Sequence, residues 1–144
     1  MEFTKPEHDA STTGLSEDEY ASAAKLREAV RLFFRESERI TRAWDLTGQR
    51  YDMLLMIRTA RGGSGRATLH ELMERLQLAQ SSVVELVDRA QALGLVERAR
   101  GPAGSGRAVL VSLTEEGARR LEGAATELVR HRRRLAGLLA GLEQ

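Results

Sequence analysis

Residues 78–98 read LAQSSVVELVDRAQALGLVER, and this stretch decides the fold. Small polar residues open it, an apolar stripe of helical period follows, and Gly94 separates that helix from strand-like residues. The helix is predicted to run from about Gln80 to Leu93. Its buried side is predicted to consist of four apolar residues, Val83, Leu86, Val87 and Ala90.

The sequence on either side of this helix completes a winged helix-turn-helix pattern. A short helix is predicted before it, at residues 68–76. Two strands are predicted after the helix at 80–93, at residues 95–98 and 108–113. The segment between the strands, ARGPAGSGR at 99–107, is rich in glycine and contains proline, which predicts a hairpin with a long loop, the wing. In such a unit the short helix supports the next one, whose N-terminal residues can reach base edges in a DNA major groove.

Further helices are predicted before and after this unit. A long helix from Ser16 to Trp44 is followed by a shorter one that ends before a loop at 60–67, where three glycines lie. Another long helix follows Thr114. Both long helices carry an apolar seam at alternating spacings of three and four residues, and such a seam needs a partner helix, within one chain or across a dimer.

The composition limits the classes of function. The 144 residues are 42% hydrophobic and 4% aromatic, which predicts one domain with an aliphatic core. There is no cysteine, and His8, His70 and His131 lack the spacing that would place two of them on one helix face to bind a metal. No nucleophile elbow, P-loop or pair of acids in a glycine-framed site is present, so neither an enzyme nor a cofactor is predicted.

The chain shows no signal for export or for a membrane. No apolar run approaches the roughly 18 residues of a membrane span, and residues 1–14 lack the basic-then-apolar order of a secretory signal. The sequence therefore predicts a cytoplasmic protein with no membrane partner.

Three segments carry a family resemblance. LTGQRYDMLLMI, TLHELMERLQLAQSSVVELVDRAQALGLVER and RAVLVSLTEEGARRL, in this order and at these separations, resemble the MarR family of bacterial transcriptional regulators over about residues 46–121. The resemblance implies a homodimer that reads a pseudo-palindromic operator in double-stranded DNA. It also implies a repressor that is released by a small, often aromatic and anionic, ligand.

Together the pattern and the resemblance predict a mainly α fold with a small β-hairpin wing, a winged helix-turn-helix flanked by dimerisation helices. The predicted division is a flexible tail (1–15), an N-terminal dimerisation helix (16–44), the DNA-binding domain (45–113) and a C-terminal dimerisation helix (114–144).

The second helix of the helix-turn-helix provides four of the seven predicted DNA contacts, three of them on its first turn. By the resemblance Gln80, Ser81 and Ser82 face DNA, where glutamine can bond adenine and serine can bond a base or a phosphate. Glu85, one turn further on, can accept from a cytosine amino group. The alternative is that the serines are ordinary residues of a helix N-terminus.

Arginines of the wing provide the remaining predicted DNA contacts. Arg98, Arg100 and Arg107 lie on or beside the predicted loop, and Arg107 matches a family arginine directed at the minor groove. The family usually has an aspartate two residues earlier to orient that arginine, and Ser105 stands there instead. The alternative is that the arginines form a solvated surface. Asp88 and Arg89 are predicted to form structural ion pairs that brace the helix and the wing, rather than to contact DNA.

Trp44, Tyr51 and His70 are the predicted ligand-binding residues, because the fold could bring the ends of three helices together. The alternative for each is a core or boundary position. A second function from another class also stays open, a winged-helix module that binds proteins with little or no specific DNA binding. The net charge of +1, Glu85 and the altered wing favour that alternative.

Overall fold

A computed structural model describes residues 14–101 and 108–142. Its elements in chain order are α1 (Glu17–Ala43), α2 (Gly48–Arg58), β1 (Arg66–Thr68), α3 (Leu69–Leu76), α4 (Gln80–Ala92), β2 (Val96–Arg100), β3 (Val109–Leu113) and α5 (Glu115–Leu142). A single 3-10 turn, Arg61–Gly63, follows α2. The predicted fold class, a mainly helical chain with a small β wing between two long helices, is confirmed. In these ranges no helix has the length and apolar character to cross a membrane.

The helix-turn-helix forms where the sequence predicts it. The Thr68 hydroxyl accepts from the Glu71 amide at 3.1 Å and begins α3. Gln77 takes a left-handed conformation with φ 55°, which ends α3 and turns the chain into α4. Gly94, with φ 75°, follows α4 and allows the turn into β2. The four predicted apolar residues, Val83, Leu86, Val87 and Ala90, are the buried residues of α4, as expected.

The sheet has three strands rather than the two of the predicted hairpin, in the order β1-β3-β2. The additional strand, β1, lies partly in the segment 60–67 that was predicted to be a loop, so that prediction is wrong at its end. Arg66 pairs with Ser112 and Thr68 with Leu110, both antiparallel. Strand β1 has only three residues, too few to show an alternation of apolar and polar side chains in the sequence. It forms because β3 has free backbone N–H and C=O groups beside it.

Strand β2 extends further than predicted. Ala99 and Arg100 were assigned to the loop, but Arg100 pairs with Val109 in the β2–β3 ladder. Arg107, the predicted DNA contact of the wing, and Ser105, two residues before it, lie outside the described residues.

One apolar core joins the winged part to the long helices. Leu54 and Ile57 of α2, Leu72 of α3, Val87 of α4 and Leu95 before β2 are all fully buried in it. The packing of this core therefore sets the angle between α3 and α4, and with it the direction in which the exposed face of α4 points.

The two long helices pack against each other within the chain. His131 of α5 lies 3.0 Å from Glu36 of α1, measured from Nδ1 to Oε2. Near the other end of this contact, a side chain at Gly123 would overlap the indole ring of Trp44, so the glycine allows α1 and α5 to approach closely.

The start of α5 is fastened to the winged part. The Thr114 hydroxyl accepts from the Gly117 amide at 3.0 Å and donates to the Gly94 carbonyl at 2.6 Å. Gly117 stands where a capping box would have an acid. A Cβ atom there would overlap the Leu95 carbonyl, so close packing on the chain before β2 excludes a larger residue.

Candidate nucleic-acid interface

The first turn of α4 presents three polar side chains to solvent. Gln80, Ser81 and Ser82 are all exposed, and none of them makes a side-chain hydrogen bond within 14–101 and 108–142. The residue at the N-cap position is Ala79, whose methyl side chain cannot accept a hydrogen bond from the first turn of the helix. The two serines therefore do not cap α4, and their hydroxyl groups are available to a partner.

The next turn of α4 carries acidic groups on the same exposed side. Ala79, Gln80, Ser81, Val84, Glu85 and Asp88 line a shallow depression on this side of the helix. Glu85 is held by its own helix, because Arg89 Nη2 donates to its Oε1 at 2.7 Å. This ion pair neutralises much of the carboxylate charge that would otherwise repel phosphates.

Arg98 braces α4 against the wing. Its Nη2 donates to Asp88 Oδ1 at 2.6 Å and its Nη1 donates to Gln91 Oε1 at 2.6 Å. The arginine side chain is 28% exposed, so the pair lies at the edge of the solvent. The Arg98 guanidinium is therefore hydrogen-bonded to α4. Arg100, the last residue of β2, is exposed.

A second arginine, which the sequence analysis did not single out, supports α3. Arg75 donates to the carbonyl oxygens of Met56 and Thr59 at 2.8 and 3.2 Å and pairs with Glu71 at 3.2 Å. Glu71 in turn accepts from the Arg61 amide at 3.0 Å. This network ties α3 to the end of α2. Its only signal in the sequence is the spacing of four between an acid and an arginine, which many exposed helices share.

A cavity of about 550 Å³ lies between α1, α2 and α5. Its apolar wall includes six side chains, Phe33, Phe34, Tyr51, Leu55, Leu128 and Val129. Its charged groups are Glu38, Asp52 and Arg132. A cavity of this size is in the range of small-molecule sites.

The structure does not bring the three predicted ligand residues together. Tyr51 lines the cavity, whereas Trp44 packs against Gly123 and His70 lies on the exposed side of α3. His70 Nε2 is 3.3 Å from Glu74 Oε1, a surface contact. Trp44 therefore occupies a position at the boundary of the core, and His70 is solvated. That Tyr51 contacts a ligand stays a prediction.

Several groups of the cavity are poorly solvated. Burial raises the pKa of the Asp52 carboxyl. Burial also raises the pKa of the Tyr51 hydroxyl, with a further increase from Asp52 and an opposing effect from Arg132. The Ser37 hydroxyl oxygen is buried without a hydrogen-bond partner in the described part of the chain. The same described part contains no cluster of three or more histidine, aspartate or glutamate side chains arranged to hold a metal ion.

Comparisons with known proteins identify the winged part. Residues 44–108 match the model of the MarR family. A search of curated proteins found no significant match.

Solved structures of the same family share the fold over most of the chain. AbsC, a MarR family regulator from Streptomyces coelicolor, is 22% identical with a TM-score of 0.74, over 86% of this chain and 82% of its own. A mutant MarR from E. coli complexed with operator DNA is 24% identical, with a TM-score of 0.69 and coverage of 91% and 94%. A MarR family protein from Bacillus stearothermophilus is 27% identical, with a TM-score of 0.66 and coverage of 88% and 83%.

The fold is that of a winged helix-turn-helix protein, and its winged part matches a family of transcriptional regulators rather than of enzymes. The resemblance seen in the sequence is confirmed by the family match and by these structures. Residues 44–108 match the MarR family of transcriptional regulators, and the chain as a whole shares the fold of solved members of that family.

Proposed function

We propose that the protein is a homodimeric, cytoplasmic repressor that reads a pseudo-palindromic operator with two copies of α4. The observation that carries this proposal is the exposed first turn of α4, where Gln80, Ser81 and Ser82 have no partners of their own in the described ranges. Short hydrogen-bonding side chains at the start of a recognition helix are suited to base edges and phosphates. The solved E. coli relative that holds operator DNA has the same fold.

Apolar side chains on the long helices support the dimer. Leu26 and Leu32 of α1 and Leu138 of α5 are 41%, 58% and 52% exposed. Phe34 of α1 is 61% exposed. Large apolar groups exposed together on two packed helices are typical of a surface that a second copy covers.

The position of the cavity supports regulation by a small molecule. The cavity lies between α1 and α5, the proposed dimer helices, and α2, which belongs to the winged part. A ligand there touches both halves of the protomer, so it can favour a dimer in which the two α4 helices are wrongly spaced for DNA. It shifts the equilibrium by its difference in affinity for the two arrangements.

Fluorescence anisotropy with duplex DNA from the region upstream of the gene tests the proposal. Ser81→Ala is compared with Ser22→Ala, a matched change at an exposed helical serine of α1. We expect sequence-selective binding that weakens steeply with salt, and a loss of selectivity in Ser81→Ala only.

Two results would contradict the proposal. Weak and equal binding to the specific and scrambled duplexes would favour the alternative of a protein-binding module. Equal effects of Ser81→Ala and Ser22→Ala on DNA binding would mean that Ser81, on the first turn of α4, does not contact DNA.

A further inference from the structure

We infer that Val84 of α4 determines operator specificity by packing against the 5-methyl group of a thymine in the major groove. The inference rests on the proposed function of α4 as the recognition helix, and it names one chemical group of the operator that this helix reads. Because a symmetric dimer presents two copies of α4, each half-site should carry this thymine at the same position.

Val84 lies on the exposed side of α4, in line with the first turn. It follows Gln80 by four residues and precedes Asp88 by four, so the three side chains form one row along the helix. The four buried residues of α4 lie on the other side of the helix. Val84 therefore faces the same way as the side chain of Gln80, which the proposed function places at base edges.

Packing within the chain does not account for Val84. The residue is partly buried, yet in the described part of the chain it belongs neither to the core nor to the partly buried apolar side chains that pack against the core. Valine is also a poorer helix former than alanine, because its branched side chain loses rotamer freedom in a helix. The methyl groups of Val84 are therefore available to a partner.

The depression around Val84 combines apolar and hydrogen-bonding groups. Six residues line it, and the apolar ones are Ala79 and Val84. Gln80 and Ser81, on the first turn, line it as well and carry groups that can hydrogen-bond to base edges. A base pair that fits this surface has a methyl group beside its hydrogen-bonding atoms.

Thymine is the base that supplies such a methyl group. In the major groove adenine, guanine and cytosine present ring nitrogens, carbonyl oxygens and amino groups, whereas thymine presents its C5 methyl beside O4. Packing the Val84 side chain onto a polar atom would remove water from that atom without supplying a hydrogen bond, which costs free energy. Packing it onto the thymine methyl buries apolar surface on both partners.

The acidic side chains next to Val84 leave this approach open. Glu85 is paired with Arg89 at 2.7 Å, and Asp88 is paired with Arg98 at 2.6 Å. The two ion pairs neutralise much of the carboxylate charge that would repel the phosphates on either side of the groove. The exposed side of α4 can therefore come close enough to the bases for a van der Waals contact.

A uracil scan of the operator tests the contact one methyl group at a time. The starting duplex is one that the full chain prefers over scrambled DNA, from the region upstream of the gene or from selection out of a random pool. Each thymidine is replaced in turn by deoxyuridine, which lacks only the 5-methyl group, and fluorescence anisotropy gives the affinities. We expect one position in each half-site where the replacement weakens binding roughly fourfold, the effect of burying one methyl group.

Two variants relate the sensitive methyl group to Val84. Val84→Ser removes both methyl groups of the valine, and the helix should be unaffected because serine and valine have similar helix propensities. This variant should bind the thymine and uracil duplexes equally. Leu93→Ser is the control, since Leu93 is 47% exposed at the other end of α4 and outside the depression, and it should keep the fourfold difference. Circular dichroism and thermal unfolding establish that both variants are folded.

5-Methylcytosine gives a second readout in the opposite direction. The sensitive T·A pair is replaced by C·G, and the cytosine is then methylated at C5, which restores the methyl group and keeps the hydrogen-bonding groups of the C·G pair. We expect the methylated duplex to bind the unchanged chain roughly fourfold more tightly than the unmethylated one, and Val84→Ser to show no difference.

Three results would overturn the inference while the proposed function stands. They are sequence-selective binding that no uracil replacement weakens, a methyl effect that persists in Val84→Ser, and preferred half-sites without thymine. The absence of any duplex that the chain prefers over scrambled DNA contradicts the proposed function itself, and this inference with it.

Discussion

Arg98 of β2 donates to Asp88 of α4 at 2.6 Å and so joins the wing to the recognition helix by a side-chain ion pair. The same guanidinium also reaches Gln91, one turn further along α4. Two contacts from one planar group restrain the helix relative to the sheet, in addition to the packing of its buried face. A residue of the wing therefore contributes to the orientation of the helix that presents Gln80 and Ser81.

The first prediction tests whether Arg98 positions α4 through side-chain contacts or binds DNA directly. If Arg98 acts as a brace through Asp88 and Gln91, then Arg98→Ala and Asp88→Ala each weaken DNA binding, and the double variant is no weaker than Arg98→Ala. The salt dependence of binding should not change, because no phosphate contact is lost. The measurement is DNA affinity at several salt concentrations for the three variants. Additive losses, with the salt slope reduced by about 1 in Arg98→Ala, would instead show a direct phosphate contact.

The second prediction concerns the glycine at the start of α5. Gly117→Ala places a Cβ atom on the Leu95 carbonyl, so the helix and the chain before β2 must separate. We expect the free energy of unfolding to fall by about 1–3 kcal/mol. Gly137→Ala is the control, because nothing lies within 4 Å of its Cβ position and alanine favours a helix. Chemical denaturation measures both, and equal stabilisation by the two changes would contradict the packing argument.

The third prediction tests the dimer. Leu138→Glu places a charge on an apolar residue of α5 that is 52% exposed. If a second copy covers it, the variant should elute as a monomer at concentrations where the unchanged chain is a dimer. Leu93→Glu alters a residue of similar exposure, 47%, outside the long helices, and should stay dimeric. Light scattering during gel filtration gives both masses, and a dimeric Leu138→Glu would place the interface elsewhere.

The fourth prediction follows from the raised pKa of Asp52. A carboxyl whose pKa is raised on folding holds its proton more tightly in the folded chain, so its ionisation weakens folding as the pH rises through that range. Asp52→Asn should therefore stabilise the protein at neutral pH, by less than about 1 kcal/mol because the group is partly solvated.

The pH dependence gives this prediction its test. The advantage of Asp52→Asn should shrink as the pH falls through the pKa of Asp52, since both side chains are then neutral. Thermal unfolding between neutral pH and about pH 3 measures it, with Glu97→Gln as the control. A stabilisation that is independent of pH would mean that ionisation of Asp52 is not its cause.

The helical framework could be predicted from the sequence because it rests on local signals. Thr68 and Gly94 mark the boundaries of the helix-turn-helix, and the apolar period of α4 marks its buried face. Strand β1 could not be predicted, because its three residues gain their structure only from β3, far along the chain.

The site could be predicted only in part, because side-chain partners are set by tertiary structure. The exposed turn at Gln80 follows from helix periodicity, and the sequence predicts that Asp88 pairs with the wing, whereas the identity of its partner, Arg98, depends on how β2 packs against α4. Trp44 and His70 are predicted ligand residues only because they lie at helix ends. Their surroundings depend on the approach of α5 and on the exposed side of α3, which no local pattern reports.

Selection of bound duplexes from a random pool, followed by hydroxyl-radical footprinting, tests most directly the central claim that two α4 helices read one operator. The account predicts an enriched inverted repeat with half-site centres about 10–10.5 base pairs apart, protected on one side of the duplex and lost in Leu138→Glu. A single enriched half-site, or a pool with no enriched sequence, would contradict it.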